Sequence, residues 1–399
     1  MNKKVFYAEA SYSDEEILEV SKVLNESRLC LMDGPKVKEL ESKVASIFNK
    51  KYGLMVNSGS SANLLGILSL QLQKGSKVIT PSLTFSTTVS PIVQSGLIPL
   101  FIDVDRDTLQ INTSKLRQLN LSDVSAICVP NLIGNIANWE YIYSFAKENN
   151  LKIIEDSADT IGYTYETKLK NWSDISTTSF YASHVITGAG FGGMTCFSDN
   201  NNYELSLSLR GWGRRSSLYS NSEDYERRFS AKIDDIYYDD KYIFDDIAYN
   251  FLPSEISAAF ALVQLKKLQS NIKKRINNFK FLKENLSYSN NFFIPNSYDN
   301  VRTGWLAFPL ILQNKLANKR RELQIFLEKE GIQTRTIFTG NIMRQPVAKK
   351  FKWDYFGSFE VSDEVMKSGI LLGSHNRQSK ENLEYLVLKI REAEKQILN

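Results

Sequence analysis

The chain has 399 residues, 42% of them hydrophobic and 24% charged, with a formal net charge of +4. That is length enough for two or three domains around a large core, and the mild, dispersed positive excess gives no support for nucleic-acid binding beyond background while suiting a small anionic substrate. No run approaches membrane-spanning length and the start lacks the apolar core of a signal peptide, so a cytoplasmic location without membrane attachment is expected; three scattered cysteines (Cys30, Cys128, Cys196) and two histidines argue against disulfides and a bound metal.

Residues 14–25 place Ile17, Leu18, Val20 and Val23 at helical spacing, Gly34-Pro35 makes a turn, and residues 37–48 form a second helix. A short apolar run at 54–56 leads into Asn57-Ser58-Gly59-Ser60-Ser61 and a helix whose buried stripe is Leu64, Leu65, Leu68 and Leu72. Small polar residues at a helix start leave backbone N–H groups facing outward, which makes either a phosphate cup or a plain serine cap. Residues 77–81 read as a strand followed by Phe85, an aromatic that either packs in the core or stacks on a flat heterocycle. Strands at 97–104 and 126–130 and a helix at 139–149 come next.

The segment LKIIEDSADTIG then carries a buried strand with Glu155 and Asp156 at its carboxyl end, where open α/β sheets bind ligands. A buried carboxylate there can pair with a protonated ring nitrogen. Asp159, three residues on, is either a helix cap or a second site group. The most informative stretch is SFYASHVITGAGFGGM: a strand at 177–181, then His184, then Gly188, Gly190, Gly192 and Gly193, and a return strand from Met194. An imidazole on a loop too rich in glycine to be core is a candidate for chemistry, although a single histidine beside a strand more often serves packing.

After a helix at 203–210, residues 211–246 are polar and irregular. Their arginines, with Arg210 (Arg210, Arg214, Arg215, Arg227, Arg228), either meet a diphosphate or form a solvated charged loop. Ser254 caps a helix carrying Ile256, Ala259, Phe260, Val263 and Leu268, expected to link two domains. Beyond residue 290 a strand at 305–312, a helix at 319–330, a strand at 333–338 and a final helix from Lys380 make a compact α+β unit. The expected division is residues 1–253 for a large cofactor-binding α/β domain and 254–399 for the linker helix and a small domain.

Taken together these motifs resemble the DegT/DnrJ/EryC1/StrS sugar aminotransferase family over nearly the whole chain. Ser179 to His184 is similar to its S-F-[HYF]-P-x-K segment, with Ala182 in place of proline and His184 where the family has its cofactor-binding lysine. A small branch that resembles the nucleotide-sugar 3-dehydratases makes the same exchange. The resemblance implies a fold type I, aspartate aminotransferase-like α/β architecture with a mostly parallel sheet, and a homodimer with shared active sites. It also assigns residues. Gly59, Ser60, Ser61 and Ser179 would hold the phosphate of pyridoxal or pyridoxamine phosphate, Phe85 would cover the pyridine ring, Asp156 would meet its nitrogen and Asp159 its phenolic oxygen. Asn250 would reach the neighbouring subunit's cofactor phosphate, with Leu252 where relatives carry arginine. Arg335, Asn341, Arg344 and His375 match substrate-side positions of the 3-dehydratases.

The lysine-to-histidine exchange leaves a group that moves protons and cannot form a Schiff base. The resemblance therefore implies non-covalent pyridoxamine phosphate, His184 as base and Asp156 as partner of the ring nitrogen. The reaction implied is loss of the C3 hydroxyl from a nucleotide-linked 4-keto-6-deoxy sugar, as in the 3-dehydratases of GDP-linked 4-keto-6-deoxymannose. Two continuations are open: hydrolysis to a 3-deoxy sugar with an amino donor such as glutamate recharging the cofactor, or electron delivery by a reductase. Iron-sulfur 3-dehydrases of the CDP-sugar type carry clustered cysteines after the central loop, and this chain has no cysteine beyond Cys196, which rules out a cysteine-held cluster. The competing readings are an aminotransferase yielding a 4-amino sugar and a cofactor-binding homologue without catalysis; against the latter, Asp156, Ser179 and Asn250 are all present.

Overall fold

The computed structural model describes residues 4–399 apart from 27, 29 and 220. Its centre is an eight-stranded sheet. Seven strands come from the first half of the chain: β1 (Tyr52–Val56), β2 (Lys77–Pro81), β3 (Ile98–Ile102), β4 (Val124–Pro130), β5 (Lys152–Ser157), β6 (Ile175–Ser179) and β7 (Gly193–Phe197). The order is β1-β7-β6-β5-β4-β2-β3, and Asp354–Tyr355 closes the β3 edge. All neighbours are parallel except around β7, which runs antiparallel to both β1 and β6. The strands are buried on both sides because helices cover both faces of the sheet, even β6, whose sequence is Ile-Ser-Thr-Thr-Ser.

Eleven helices of eight residues or more surround this sheet and a smaller one among the described residues: α1 (Asp14–Glu26), α2 (Pro35–Ile47), α3 (Gly59–Ser69), α4 (Ser86–Gln94), α5 (Trp139–Glu148), α6 (Asn200–Arg210), α7 (Glu255–Lys266), α8 (Leu268–Leu286), α9 (Arg320–Lys329), α10 (Glu360–Ser368) and α11 (Lys380–Leu398). Two differ from the sequence reading. Helix α3 is buried almost all round, from Ser61 to Ile67, and Leu72 lies beyond its end; a helix wedged under a sheet needs no polar face, so the stripe has no meaning there. Helix α7 does not run on to the small sheet. It packs beside α1 and α2 on the large sheet, and the chain breaks at Lys267 before α8 carries it onward.

The small sheet has four strands in the order Phe292–Phe293, Phe308–Leu312, Gly369–Leu372, Thr334–Thr336, all antiparallel. One buried acid ties it to the large sheet. Asp103, just past β3, accepts hydrogen bonds from Val361 N (2.9 Å), Ser362 N (3.0 Å) and Ser362 Oγ (2.6 Å), capping α10 across 258 residues of sequence. Ser82 Oγ meets the same Ser362 hydroxyl at 2.7 Å. No described helix is long and apolar enough to cross a membrane.

Candidate active site

A cavity of about 1160 Å³ opens at the carboxyl ends of β2, β4, β5 and β6 and is walled on its far side by the strand Thr334–Thr336 and the turn that follows it. Strand alternation separates the two acids of β5. Glu155 turns away and accepts from Asn131 Nδ2 (3.1 Å), Tyr163 OH (2.5 Å), Trp172 Nε1 (3.1 Å) and Ser176 Oγ (2.9 Å). Asp156 points into the cavity floor, 4% exposed. Its Oδ2 accepts from Asn63 Nδ2 (2.8 Å) and Thr88 Oγ1 (2.7 Å), and its Oδ1 from Ala158 N (3.1 Å). Burial raises its pKa, and those three donors oppose the rise. A carboxylate so placed is ready for a cationic partner, which would reverse the effect of burial.

The serine turn and the glycine loop meet at one end of the cavity. Ser58 caps α3 by accepting from Ser61 N (3.1 Å), leaving Gly59 and Ser60 on the cavity wall. Both contacts demand glycine: a Cβ on Gly59 would lie 2.7 Å from Ser179 Cβ, and one on Gly193 would lie 2.4 Å from Ser58 C and O. Ser179 lines the same end, its Oγ accepting from Tyr181 N at 3.3 Å. Phe85 is 49% exposed on the wall, which overturns its reading as a core residue.

His184 stands beyond β6 with its N–H on Tyr181 O at 3.0 Å. Its Nε2 lies 4.0 Å from Asp159 Oδ1, and no partner for its buried Nδ1 is found among the described residues. Burial, with the charge of Arg275, holds the imidazole down to about 4, so it is neutral at working pH. Asp159 is anchored by Ile133 N at 2.8 Å, yet burial and the nearby Asp156 push its carboxyl up to about 7. When a proton arrives on His184, the adjacent Asp159 favours it as the carboxylate.

Of the residues predicted from sequence, the cavity gathers Gly59, Ser60, Phe85, Asp156, Asp159, Ser179, His184 and Arg335. Five others lie outside its lining. Ser61 turns its hydroxyl to Asn57 Oδ1 (2.7 Å). Asn250 is exposed on the outer surface. Asn341 is fully buried, donating to Asp363 Oδ1 (2.7 Å) and accepting from Met343 N (3.0 Å), so both ends of its amide are occupied. His375 is 2% exposed with Nε2 at 3.2 Å from Phe6 O, a structural contact. Arg344 pairs with Asp363 at 2.6 Å outside the cavity.

The five arginines from 210 to 228 are likewise engaged within the fold. Arg210 pairs with Asp33 (2.6 Å) and Glu41 (3.1 Å), Arg215 with Asp245 (2.6 Å) and Arg228 with Asp239 and Glu223. Arg214 and Arg227 lie over the rings of Trp212 and Tyr219. Sequence reasoning missed Asn63 and Thr88, whose importance comes only from their contact with Asp156, and Tyr7, whose arrival at the cavity has no local signal.

A family model described as the DegT/DnrJ/EryC1/StrS aminotransferase family matches residues 11–391. The chain belongs to this family. It is 32% identical over 365 residues to the lipopolysaccharide biosynthesis protein RfbH of Salmonella typhimurium, covering 88% of this chain and 83% of that one. It is 30% identical over 391 residues to the GDP-4-keto-6-deoxy-D-mannose 3-dehydratase of Yersinia pseudotuberculosis, covering 95% and 96%. The solved structure of the Escherichia coli GDP-4-keto-6-deoxy-D-mannose-3-dehydratase with bound hydrated PLP superposes with a TM-score of 0.87 at 27% identity, covering 97% of this chain and all of that one. The family is PLP-dependent, and the present residues fit such a cofactor: a buried carboxylate at the floor, an exposed aromatic wall, a helix N-terminus with serines at one end, and a volume above the usual range for a single small ligand.

The raised carboxyl of Asp159 has a consequence for stability. Between pH ~4 and ~7 the folded chain retains a proton that the unfolded chain has released, so this group's contribution is lost as pH rises through that window. Asp159→Asn keeps an acceptor for Ile133 N and removes the charge. Denaturant midpoints of the cofactor-free protein should coincide at pH 4, and at pH 8 the variant should be more stable by roughly 2–4 kcal/mol; no gain at pH 8 would contradict the assignment.

Proposed function

We propose that this enzyme of the PLP-dependent, sugar-modifying family is a hydro-lyase, removing the C3 hydroxyl of a nucleotide-linked 4-keto-6-deoxy sugar on the way to a 3,6-dideoxysugar. One observation carries the reading: among the described residues no lysine lines the cavity, and His184, which the resemblance aligns with the family's lysine, does. Among the described residues the site has a proton carrier and no amine to tether an aldehyde. Bound pyridoxamine phosphate would supply the amine that condenses with the sugar's keto group and a ring that draws electrons from the bond to be broken.

The chain's own residues divide the remaining work. Asp156 keeps the proton on the ring nitrogen, with Asn63 and Thr88 fixing its orientation. His184, neutral because it is buried, takes a proton at Nε2, and Asp159 stabilises the resulting imidazolium. Gly59, Ser60 and Ser179 hold the cofactor phosphate, Phe85 packs against the ring, and Arg335, the cation of the cavity wall among the described residues, meets the anionic nucleotide portion. An amino donor such as glutamate recharges the cofactor, and no iron-sulfur cluster takes part.

The outer surface supports a homodimer with shared sites. Tyr225, Phe229, Ile236, Tyr237 and Ile247 are 59–97% exposed within 23 residues of sequence, large apolar side chains of the kind that partners cover. Asn250, three residues on in sequence, is exposed, and in such a dimer it would reach a second copy's phosphate.

Incubating the protein with pyridoxamine phosphate and a panel of GDP-, CDP- and dTDP-linked 4-keto-6-deoxy sugars, with mass spectrometry of the products, should yield a 3-deoxy product from at least one. A 4-amino product instead would identify an aminotransferase, and no turnover from any sugar would favour the non-catalytic reading. Light scattering should give twice the 45.5 kDa chain mass, and Ile247→Asp should shift the species toward monomer; a wild-type monomer would defeat the shared-site proposal.

A further inference from the structure

Residues 6–13 belong to no helix or strand, yet the strap from residue 5 to residue 11 is tied down along its length. Val5 bridges Ile332, donating to Gly331 O (2.9 Å) and accepting from Gln333 N (2.9 Å). The Phe6 carbonyl accepts from Gln378 Nε2 at 2.8 Å, and His375 Nε2, 3.1 Å from Gln378 Nε2, sits beside it. Tyr7 N donates to Gln333 Oε1 (3.2 Å), Glu9 pairs with Arg377 (3.0 Å), and Ser11 O accepts from Gln264 Nε2 (2.8 Å). Gly373 approaches so closely that a Cβ there would lie 2.2 Å from Phe6 O.

Ordering irregular chain costs backbone entropy, and so many anchors on so short a stretch fix one geometry. The side chain that they deliver to the cavity is Tyr7. It shares the lining with Asp159, His184, Leu306 and Arg335, and the Arg335 guanidinium lies 5.5 Å from its ring centroid. Burial first, then the charge of Asp159, raises its ionisation against the pull of Arg335 and Arg275. The phenol therefore stays protonated throughout the working range and acts as an O–H donor, not as a base.

We propose that Tyr7 is a substrate contact whose phenol O–H donates to an oxygen of the hexose, with the strap as the device that positions it. This rests on reading the cavity as a nucleotide-sugar site. The cofactor-phosphate groups proposed above, Gly59, Ser60 and Ser179, come from the large sheet, whereas Tyr7 and Arg335 are held by the small one. An anionic diphosphate is drawn to the guanidinium; the neutral, oxygen-rich hexose is the part that suits a neutral donor.

The test is calorimetric titration of the pyridoxamine-phosphate-loaded protein with GDP-, CDP- and dTDP-linked hexoses and with the matching nucleoside diphosphates. Tyr7→Phe should bind the preferred hexose conjugate roughly tenfold more weakly, the loss of one neutral hydrogen bond, with unchanged affinity for the diphosphate and for the cofactor. Gln378→Ala, which loosens the strap, should show the same selective loss in smaller degree and add nothing to Tyr7→Phe in the double variant. Equal affinity of wild type and Tyr7→Phe for the conjugate would overturn the proposal, as would an equal loss for diphosphate and conjugate. Full additivity in the double variant would overturn the strap's role. A wild-type protein that binds no hexose conjugate would remove the nucleotide-sugar reading itself, and the Tyr7 contact with it.

Discussion

A carboxylate buried at the bottom of a cavity is costly unless donors meet it and a cation arrives. Asp156 meets the first condition through Asn63, Thr88 and the Ala158 backbone, and the second is the role a protonated heterocycle fills. Much of the large domain follows from that requirement. Asn63 comes from α3, which is why a helix so thoroughly buried carries an amide in its first turns, and its Oδ1 accepts in turn from Thr177 Oγ1 at 2.5 Å. Thr88 comes from the first turn of α4, just after Phe85. Three separate stretches of chain, α3, α4 and the turn after β5, thus converge on one carboxyl group.

Around this floor the charges are arranged so that little is ionised before ligands enter. His184 is held neutral, Asp159 is held close to its titration point near neutral pH, and Tyr7 keeps its proton. Each shift has burial as its largest cause, and each group faces the same cavity. With Asp159 near its balance point and His184 neutral, the site can take up a proton without first breaking a strong ion pair. The 4.0 Å separation of His184 and Asp159 fits that description, since a firmly ionised pair would be expected to close to hydrogen-bond distance.

Much of this was legible in the sequence, and the exceptions have a common cause. The strand at 152–157 with its terminal acid, the serine turn and the glycine loop are local patterns, and each appears where its pattern put it. What failed to show were relations between distant residues. Nothing near Asp103 announces that it caps a helix starting at Glu360; nothing near Tyr7 reveals anchors at 331–333 and 373–378. His375 and Asn341 sit at positions matched to substrate contacts, yet the first supports the strap through Nε2 and the second braces the turn after Thr334–Thr336 through both ends of its amide. Phe85 is the reverse case. Its side chain carries no sign of exposure, and only the cavity beside it explains why an aromatic is left half in the open.

The account depends on a proton carrier standing where a covalent anchor would be expected, with no lysine lining the cavity among the described residues. Treating the protein with pyridoxal phosphate and then borohydride, followed by peptide mass mapping, tests this directly. The account predicts cofactor retained by the untreated protein but lost on denaturation even after reduction, with no modified lysine. A stoichiometric pyridoxyl adduct on any lysine of the chain would contradict it.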